Sequence, residues 1–308
     1  MTLSIVIPVY NEEACLKEFY RRLFLVTEQE NWETEIIFVN DGSKDSSLGM
    51  LQEFRRKDTR VKILDFSRNF GHQVAVKAGI DHARGEAVVI MDADLQDPPE
   101  MIPNLVMKWK EGYEVVYAVR ETRKGEGFFK KWTASLYYRL IQRIASIDLP
   151  LDTGDFRLLS RPVADVIKNI REKNLYLRGL ISWVGFKQIG VPMKRDPRFA
   201  GETKYSSRQM LRLGWNGITH FSFLPLQIST AVGFLSALIC LFWILQALYV
   251  GLVLKIAVPG WTSIMVAVLF LGSVQLLTLG IFGSYLARNY DEARSRPLYI
   301  LRQKEGFD

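Results

Sequence analysis

The chain has 308 residues, of which 48% are hydrophobic and 24% charged, and its formal net charge at pH 7 is +7. That length accommodates one domain of about 220 residues with a full core, together with a short further segment. The net charge is too small to indicate a nucleic-acid-binding protein, and the two cysteines, Cys15 and Cys240, cannot build a disulfide framework. We therefore expect no nucleic-acid partner and a reduced, cytosolic setting for most of the chain.

Short apolar, β-branched runs alternate with helical patterns in the first part of the chain. Five strands are predicted, at Leu3–Val9, Glu35–Asn40, Val61–Phe66, Ala87–Met91 and Val115–Val119. Helices are expected at about 12–29, 46–57 and 73–82. Continuous apolar strands joined by helical crossovers are typical of a parallel sheet that is buried on both faces. We therefore predict an α/β fold with a doubly wound sheet, whose ligands bind beyond the carboxyl ends of the strands.

Polar residues follow four of these strands, at the edge of the sheet where ligands are expected. They are Pro8–Glu12, Asn40–Ser43, Ser67–Asn69 and Asp92–Gln96. The sequence contains no glycine-rich dinucleotide fingerprint and no phosphate loop ending in Gly-Lys-Ser/Thr, so these common nucleotide-binding motifs lose support. Acidic and amide side chains dominate instead, and we expect the four segments to line one pocket.

Asp92 and Asp94 follow the apolar run Val88–Met91 and are separated by one residue. Two carboxylates in this position suit a hard divalent cation, which prefers oxygen ligands and often bridges to substrate phosphates. An Asp-x-Asp pair also occurs in solvated surface loops, which is the alternative. Its place at the end of a buried strand favours the metal site.

Two long stretches near the C-terminus, Phe221–Leu254 and Ile256–Ala287, are interrupted by a single charge, Lys255. A transmembrane helix needs about 20 mostly apolar residues, so we expect two spans at about 226–252 and 262–287. Arginines flank the pair on its outer sides, and this places both termini in the cytoplasm. No signal peptide is expected. The predicted domains are a cytosolic domain over 1–225, a transmembrane hairpin over 226–287 and a basic tail over 288–308, in a multi-pass protein of the inner (plasma) membrane.

Ordered motifs along nearly the whole chain resemble those of one family. They are Pro8–Glu12, Asn40–Asp45, Ser67–Gly71, Asp92–Pro99, Thr153–Leu158, Arg198–Tyr205 and Arg294–Tyr299. Together they are similar to family 2 glycosyltransferases of the GT-A fold and, with the two apolar stretches, to the polyprenyl-phosphate glycosyltransferases. Within that group the chain looks most like the bactoprenol glucosyltransferases, with the dolichyl-phosphate mannose synthases as cousins. The resemblance implies a Rossmann-like, doubly wound mixed sheet.

The resemblance also implies an activity, which is inverting transfer of a hexose to the phosphate of a polyprenyl (undecaprenyl) carrier at the cytoplasmic leaflet. Glucose from UDP-glucose is the favoured donor, and the product would serve later modification of cell-envelope glycans such as lipopolysaccharide. Mg²⁺ or Mn²⁺ is the implied cofactor, held by Asp94 first and by Asp92, where it would neutralise charge on the leaving diphosphate. The implied donor-binding residues are Pro8, Tyr10, Glu12, Asp41, Asp92, Asp94, Gln96, Arg198 and Lys204.

Asp155 matches the position of the family's catalytic carboxylate, and Asp94 shares the catalytic assignment through the metal. A phosphate monoester has a second pKa near 6, so the acceptor is largely dianionic at neutral pH and hardly needs a base. We therefore expect Asp155 to orient the acceptor or the donor hydroxyls as much as to take a proton. A purely structural turn after Gly154 is the alternative.

Arg120, Lys131 and Ser135 match the residues that bind the lipid phosphate in the mannose synthases, although Lys131 stands where an arginine is expected. The segments at about 128–146 and 205–221 mix aromatic, aliphatic and basic residues, which is typical of amphipathic helices in the headgroup region. An ordinary solvated helix face is the alternative for the first segment. The expected partners are a nucleotide sugar, polyprenyl phosphate, the lipid bilayer and further copies of the chain in a homo-oligomer.

Three other functions compete with this interpretation. Mannose from GDP-mannose, or a modified aminoarabinose, can replace glucose without a change of fold. A non-catalytic membrane scaffold is disfavoured because every expected carboxylate is present, and a processive polysaccharide synthase because the sequence lacks its Gln-x-x-Arg-Trp motif. His72 is expected to line the nucleotide pocket without a catalytic role.

Overall fold

The structure, a computed structural model, describes residues 1–30, 32–120, 153–173, 175–193, 224–249 and 260–307. These residues belong to two compact units. The sheet unit comprises the described residues of 1–193 together with 296–307, and the helical unit comprises those of 224–295. An α/β sheet forms the first unit, and two long apolar helices form the second.

Eight strands form one sheet in the sheet unit. They are β1 (Thr2–Val9), β2 (Glu33–Asn40), β3 (Val61–Phe66), β4 (Ala87–Ile90), β5 (Val115–Arg120), β6 (Thr153–Ser160), β7 (Gln188–Met193) and β8 (Leu301–Glu305). Their order across the sheet is β7-β5-β6-β4-β1-β2-β3-β8. The five strands predicted from apolar runs are confirmed with small differences at their ends, whereas β6, β7 and β8 were not predicted.

Two of the strands run against the rest. β6 is antiparallel to both of its neighbours, β4 and β5, and β8 is antiparallel to β3. The other six strands share one direction, so their carboxyl ends meet at one edge of the sheet, which we call the carboxyl edge. β6 begins at this edge, and its register pairs Arg157 with Ile90 of β4. Asp155, two residues earlier in β6, therefore lies beside the residues that follow β4.

Six helices accompany the strands of the sheet unit. They are α1 (Glu13–Gln29), α2 (Ser47–Lys57), α3 (His72–His82), α4 (Ile102–Lys110), α5 (Arg161–Asn169) and α6 (Leu177–Trp183), with a short 3₁₀ turn at Pro99–Met101. The predicted α1, α2 and α3 are confirmed. Helical crossovers between parallel strands and the antiparallel β6 and β8 together make the predicted doubly wound mixed sheet.

The central strands are buried on both faces, which explains why their sequences are apolar throughout. Ile5, Ile7 and Phe38 are fully buried, and burial of a side chain of this size contributes about 1.5–3 kcal/mol. α3 packs so closely on β1 that a Cβ atom at Gly79 would lie 2.1 Å from Cγ1 of Val6. The absence of a side chain at Gly79 thus allows α3 to approach the sheet at this distance.

β8 extends the sheet beyond β3 and is held by the residues that precede it. The ring of Tyr299 stacks on Phe66 with ring centroids 5.2 Å apart, and its hydroxyl donates a hydrogen bond to Asp81 on α3. The backbone N–H of Ser67 donates to the carbonyl of Ile300. The sequence analysis assigned 288–308 to a basic tail, and within that range the structure places Leu301–Glu305 in the sheet. β8 is largely polar, as edge strands commonly are, so its sequence shows no strand pattern.

The helical unit contains α7 (Leu224–Leu248) and α8 (Trp261–Ala293), which contact each other. Among the described residues, Val266–Ala293 is long and apolar enough to cross a membrane, and Ile228–Trp243 is a shorter apolar helix. Large apolar side chains on both helices are exposed, with 68% of Phe234 and 72% of Leu276 accessible. The structure thus supports one candidate span, and the predicted hairpin of two spans stays a prediction.

Candidate active site

Three side chains from separate elements meet at the carboxyl edge of the sheet. His72 is the first residue of α3, Asp92 follows β4, and Asp155 lies near the start of β6. The Nε2 atom of His72 lies 3.2 Å from Oδ2 of Asp155 and 3.6 Å from Oδ1 of Asp92. The antiparallel register of β6 brings the two aspartates together, because it places Asp155 beside the segment that follows β4.

Asp41, which follows β2, holds the loop that leads into α3. Its Oδ1 accepts a hydrogen bond from the backbone N–H of Phe70 at 2.6 Å, and its Oδ2 accepts one from Gly71 at 3.0 Å. Burial is the main cause of the raised pKa of Asp41, and these two hydrogen bonds counteract only part of that effect. Because Gly71 directly precedes α3, the Asp41 carboxylate fixes the place where His72 enters the site.

Gly42 allows the loop after β2 to approach the loop before α3. Its φ angle is +65°, and a Cβ atom there would lie 2.5 Å from the backbone carbon of Arg68. An L-residue with a side chain would be strained by this backbone conformation and would also clash with Arg68. The motif Asn40–Ser43 therefore needs glycine at its third position for a geometric reason.

Asp155 forms a two-point ion pair with Arg178 of α6. Nε of Arg178 donates to Oδ1 at 2.7 Å, and Nη2 donates to Oδ2 at 2.9 Å. Burial by itself would raise the pKa of Asp155, but the hydrogen bonds from Arg178 and His72 hold that pKa well below its usual range. Asp155 is therefore ionised at neutral pH, and Arg178, whose pKa is raised in the pair, is its principal counter-ion.

The pKa values of His72, Asp92 and Arg157, the other charged side chains around Asp155, are shifted by burial and by neighbouring charges. Burial would lower the pKa of His72, but Asp92 and Asp155 outweigh burial and raise it to about 9. The pKa of Asp92 is raised, first by burial and then by the nearby charges of Asp155 and Asp94. Arg157, whose pKa burial lowers to about 10, donates to the carbonyl of Gly154 at 2.8 Å. The site thus concentrates carboxylates and cations around Asp155, which is nearly buried, while His72, Asp92 and Arg178 remain about one third exposed.

The loop after β4 is held in a strained turn. Leu95 has a φ angle of +61°, in the left-handed region that residues with side chains rarely occupy. The backbone N–H of Gln96 donates to Oδ1 of Asp94 at 3.1 Å, which helps to close the turn. Strained backbone of this kind is concentrated at binding and catalytic sites, and here it occurs three residues after Asp92.

The cluster offers ligands suited to a divalent metal ion. One ligand atom from each of His72, Asp92 and Asp155 lies within 4.8 Å of the others, and two of the three are carboxylate oxygens. Mg²⁺ prefers oxygen ligands, and the imidazole of His72, which is protonated at neutral pH because of its raised pKa, would have to lose that proton to bind a transition ion such as Mn²⁺. Burial and the neighbouring carboxylates raise the pKa of Asp92, and a cation bound beside it would favour its ionised form. The donor set therefore fits the predicted cofactor, with Asp94 next to the cluster in sequence.

Seven of the nine predicted donor-binding residues are described, and they lie where the loops after β1, β2 and β4 reach the carboxyl edge. Pro8 is in β1, Tyr10 and Glu12 follow it and are partly buried, and Gln96 is buried in the turn after β4. Both oxygens of Asp41 already accept backbone hydrogen bonds, so its observed role is to hold a loop. Contact between these side chains and a nucleoside stays a prediction.

Several predicted residues fall outside the described part of the chain. Lys131, Ser135, Arg198 and Lys204 are among them, as are the two predicted interfacial helices at 128–146 and 205–221. Arg120 is the last residue of β5, and the structure describes its backbone alone. The predicted binding of the acceptor phosphate by Arg120, Lys131 and Ser135, and the predicted donor-binding role of Arg198 and Lys204, therefore remain predictions.

Two residues of the cluster were given no part in the reaction by the sequence analysis. His72 was expected to line the pocket, and Arg178 was not singled out. The proximity of these two residues to Asp155 depends on β6 running antiparallel to β4, and no local sequence pattern predicts that direction. The unsatisfied charge of a carboxylate at the start of a buried strand was a usable signal, because such a group needs a cationic partner from another element.

Comparisons with known proteins give consistent findings. Residues 4–167 match the family described as Glycosyl transferase family 2. The chain is 52% identical over 305 residues to the uncharacterized glycosyltransferase YkcC of Bacillus subtilis, covering 99% of this chain and 94% of that protein. It is 40% identical over 305 residues to the bactoprenol glucosyl transferase of Shigella phage SfV, covering 99% of each. Mannosyl-3-phosphoglycerate synthase from Rubrobacter xylanophilus is a similar solved structure, with 17% identity, a TM-score of 0.49, and coverage of 71% of this chain and 72% of that one.

Proposed function

The chain belongs to glycosyl transferase family 2 and is therefore a glycosyltransferase with a GT-A-like mixed sheet, and on that premise we propose that it transfers glucose from UDP-glucose to polyprenyl phosphate. Its likeness over nearly its whole length to a bactoprenol glucosyl transferase supports both the sugar and the carrier. The product is polyprenyl-phosphate glucose, made for later modification of cell-envelope glycans.

The observation that carries the proposal is the charge arrangement at the carboxyl edge. Asp92 and Asp155 face each other there, with His72 and Arg178 as their cationic partners. Sugar transfer from a nucleotide diphosphate to a phosphate brings several negative charges into one small volume. A site with carboxylates for a metal ion and cations for phosphates meets that electrostatic requirement.

The donor is proposed to bind across the loops that follow β1, β2 and β4. Pro8, Tyr10, Glu12 and Asp41 would shape the nucleoside slot, and Asp92, Asp94 and Gln96 would face the diphosphate end. Arg198 and Lys204 add positive charge for the diphosphate. Asp92 and Asp94 would hold Mg²⁺ or Mn²⁺, which neutralises charge developing on the leaving diphosphate when bound.

In the proposed transfer an oxygen of the acceptor phosphate attacks the anomeric carbon from the face opposite the diphosphate. The bond between that carbon and the diphosphate oxygen breaks, and its electron pair leaves with the diphosphate. This in-line displacement inverts the anomeric centre. Asp155 is proposed to orient the reacting groups rather than to form a bond itself.

The helical unit is proposed to anchor the enzyme in the inner membrane as two spans, at about 226–252 and 262–287. The exposed apolar side chains of α7 and α8 support this arrangement, since a lipid environment would cover them. With cytoplasmic termini, the domain over 1–225 would reach the cytoplasmic leaflet, where Arg120, Lys131 and Ser135 would bind the lipid phosphate. Assembly as a homo-oligomer is part of the same proposal.

Sugar transfer tests the proposal directly. The full chain in detergent is given undecaprenyl phosphate and a panel of radiolabelled nucleotide sugars, with Mg²⁺, with Mn²⁺ or with a chelator. We expect metal-dependent labelling of the lipid by UDP-glucose and its loss in Asp94→Ala. Asp165→Ala, which removes an exposed carboxylate of α5, is the matched control and should label normally.

Other outcomes lead to different conclusions. Labelling by GDP-mannose alone would keep the reaction and replace the donor. Labelling without a metal would remove the cofactor from the proposal. Absence of lipid labelling with every donor would contradict the polyprenyl phosphate acceptor.

A further inference from the structure

We propose that Arg178 binds the phosphate of the acceptor and that Asp155 serves to position Arg178, rather than to remove a proton from the acceptor. The inference rests on the proposed function, because it concerns how that function's acceptor is held. It assigns a phosphate-binding role to a residue outside the expected seat of Arg120, Lys131 and Ser135. The ligand class is a phosphate monoester that carries an apolar chain.

The first step concerns the oxygens of Asp155, both of which already accept hydrogen bonds from a cation. Arg178 donates to Oδ1 at 2.7 Å and to Oδ2 at 2.9 Å, while Nε2 of His72 lies 3.2 Å from Oδ2. Two-point guanidinium pairs are among the strongest charged hydrogen bonds in proteins. To take a proton, Asp155 would have to give up part of this pair, whereas to orient Arg178 it needs only the geometry that is present.

The second step concerns the acceptor, which has no proton that must be removed. A phosphate monoester loses its second proton near pH 6 and is largely dianionic at neutral pH. Its oxygen can form the new bond to the anomeric carbon with its own electron pair, and the electrons of the broken bond leave with the diphosphate. The displacement balances without a general base.

The third step concerns charge. A phosphate dianion that approaches Asp155 and Asp92 is repelled by these carboxylates unless a cation lies between the phosphate and the carboxylates. Among the described residues, the cations that face Asp155 are Arg178, His72 and Arg157. Arg157 is buried and donates to the carbonyl of Gly154. The side chain of Arg178 is 39% exposed, and its Nη1 atom is not used in the pair with Asp155. A planar guanidinium can hold a carboxylate on one edge and a phosphate on another.

Binding of a simple acceptor tests the inference without the sugar transfer reaction. The probes are farnesyl phosphate, farnesol as its uncharged counterpart, and UDP as a donor fragment. Affinities are measured by calorimetry on the full chain in detergent, with EDTA present during the farnesyl phosphate and farnesol titrations. The variants are Arg178→Gln, Arg178→Lys and Asp155→Asn, with Arg21→Gln on the exposed surface of α1 as the matched control.

We expect Arg178→Gln to lower the affinity for farnesyl phosphate by at least about tenfold while the affinities for farnesol and UDP stay unchanged. Arg178→Lys should be intermediate, because lysine keeps the charge but lacks the planar fork. Asp155→Asn should also weaken farnesyl phosphate binding, because Arg178 loses its anchor. In steady-state kinetics both Arg178 variants should raise the acceptor KM and leave the donor KM unchanged.

Three results would overturn the inference. One is unchanged farnesyl phosphate affinity in both Arg178 variants, and another is a loss of UDP affinity in its place, which would assign Arg178 to the donor. The third is an Asp155→Asn enzyme that binds farnesyl phosphate normally but has lost turnover, since that result identifies a base. Unchanged UDP binding in Arg178→Gln also shows that the variant is folded. If wild type binds farnesyl phosphate over farnesol but transfers no sugar, the proposed function fails while the role of Arg178 stands.

Discussion

Asp41 and Asp155 are two buried carboxylates at the same edge of the sheet, and they are used in different ways. Asp41 accepts hydrogen bonds from two backbone N–H groups, whereas Asp155 accepts them from the side chains of Arg178 and His72. Burial raises the pKa of Asp41, while its partners hold the pKa of Asp155 well below normal. Backbone partners cannot leave, so Asp41 fixes a loop. Side-chain partners can exchange, so Asp155 belongs to a site that can reorganise around a ligand.

Asp41→Ala should have the largest effect on stability. The variant leaves the buried N–H groups of Phe70 and Gly71 without their acceptor, and we expect the free energy of unfolding to fall by about 3 kcal/mol. Urea denaturation of the full chain in detergent, followed by tryptophan fluorescence, measures the change.

Asp92→Asn provides the comparison, because Asp92 belongs to the cluster with His72 and Asp155 and does not hold a loop as Asp41 does. Because the folded protein raises the pKa of Asp92, its ionisation opposes folding at neutral pH, and the neutral variant should be at least as stable as wild type. Its sugar transfer should nevertheless fall, as expected where function is maintained at the expense of stability. Equal destabilisation by Asp41→Ala and Asp92→Asn would remove the distinction between the two carboxylates.

Gly79→Ala should have an intermediate effect, because it pushes α3 and thus His72 away from the sheet. The added Cβ atom would lie 2.1 Å from Val6 in the core, and overpacking of this kind costs about 2 kcal/mol. Gly49→Ala in α2 is the matched control, since its added Cβ atom meets nothing within 4 Å. The control should gain about 0.5–1 kcal/mol from helix propensity. A similar stability change in the two variants, measured by urea denaturation, would contradict the close packing of α3 against β1.

Glu35→Gln should cause the smallest loss of stability among the destabilising variants, and one that depends on pH. Burial would raise the pKa of Glu35, but hydrogen bonds from Lys62, Ser4 and the backbone of Arg84 outweigh burial and lower it. A carboxylate with a lowered folded pKa stabilises the protein above its unfolded pKa of about 4.3, and that contribution is lost as the pH falls through the folded value. We expect the variant to be less stable by about 1 kcal/mol at pH 7.

The pH dependence of that difference is the informative measurement. Denaturation of wild type and Glu35→Gln at a series of pH values between 7 and about 3.5 should show the two curves converging at acid pH. Glu33→Gln, at an exposed position of the same strand, should change stability by less than about 0.5 kcal/mol. A constant difference across the series would show that the Glu35 network is not ionic.

The sequence predicted the parallel part of the sheet and the chemistry of its carboxyl edge. Strands β1 to β4 were predictable because burial on both faces requires continuous apolar runs, as in Leu3–Val9. Asp92 and Asp155 were proposed as site residues from their motifs, and the structure brings them together with His72. Their proximity follows from the pairing of Ile90 with Arg157, which is a long-range register that no local pattern records.

The parts that sequence reasoning missed share a physical cause. Arg178 and His72 are polar residues on helices, where a solvated surface and an active site produce the same local pattern. β8 is mostly polar because one of its edges faces solvent, so it lacks the apolar alternation that identifies a strand. In each case the position of the residue depends on contacts with segments far away in the chain.

β8 also determines when the sheet can be completed during synthesis. β3 ends at Phe66, whereas β8 begins at Leu301, after both long apolar helices have been made. Chains emerge from the ribosome in order, so the outer edge of β3 stays unpaired through that interval. An unpaired strand edge is a template for association with other chains. Closure of the sheet is therefore a late step, and the nascent enzyme must keep that edge from pairing with other chains until β8 arrives.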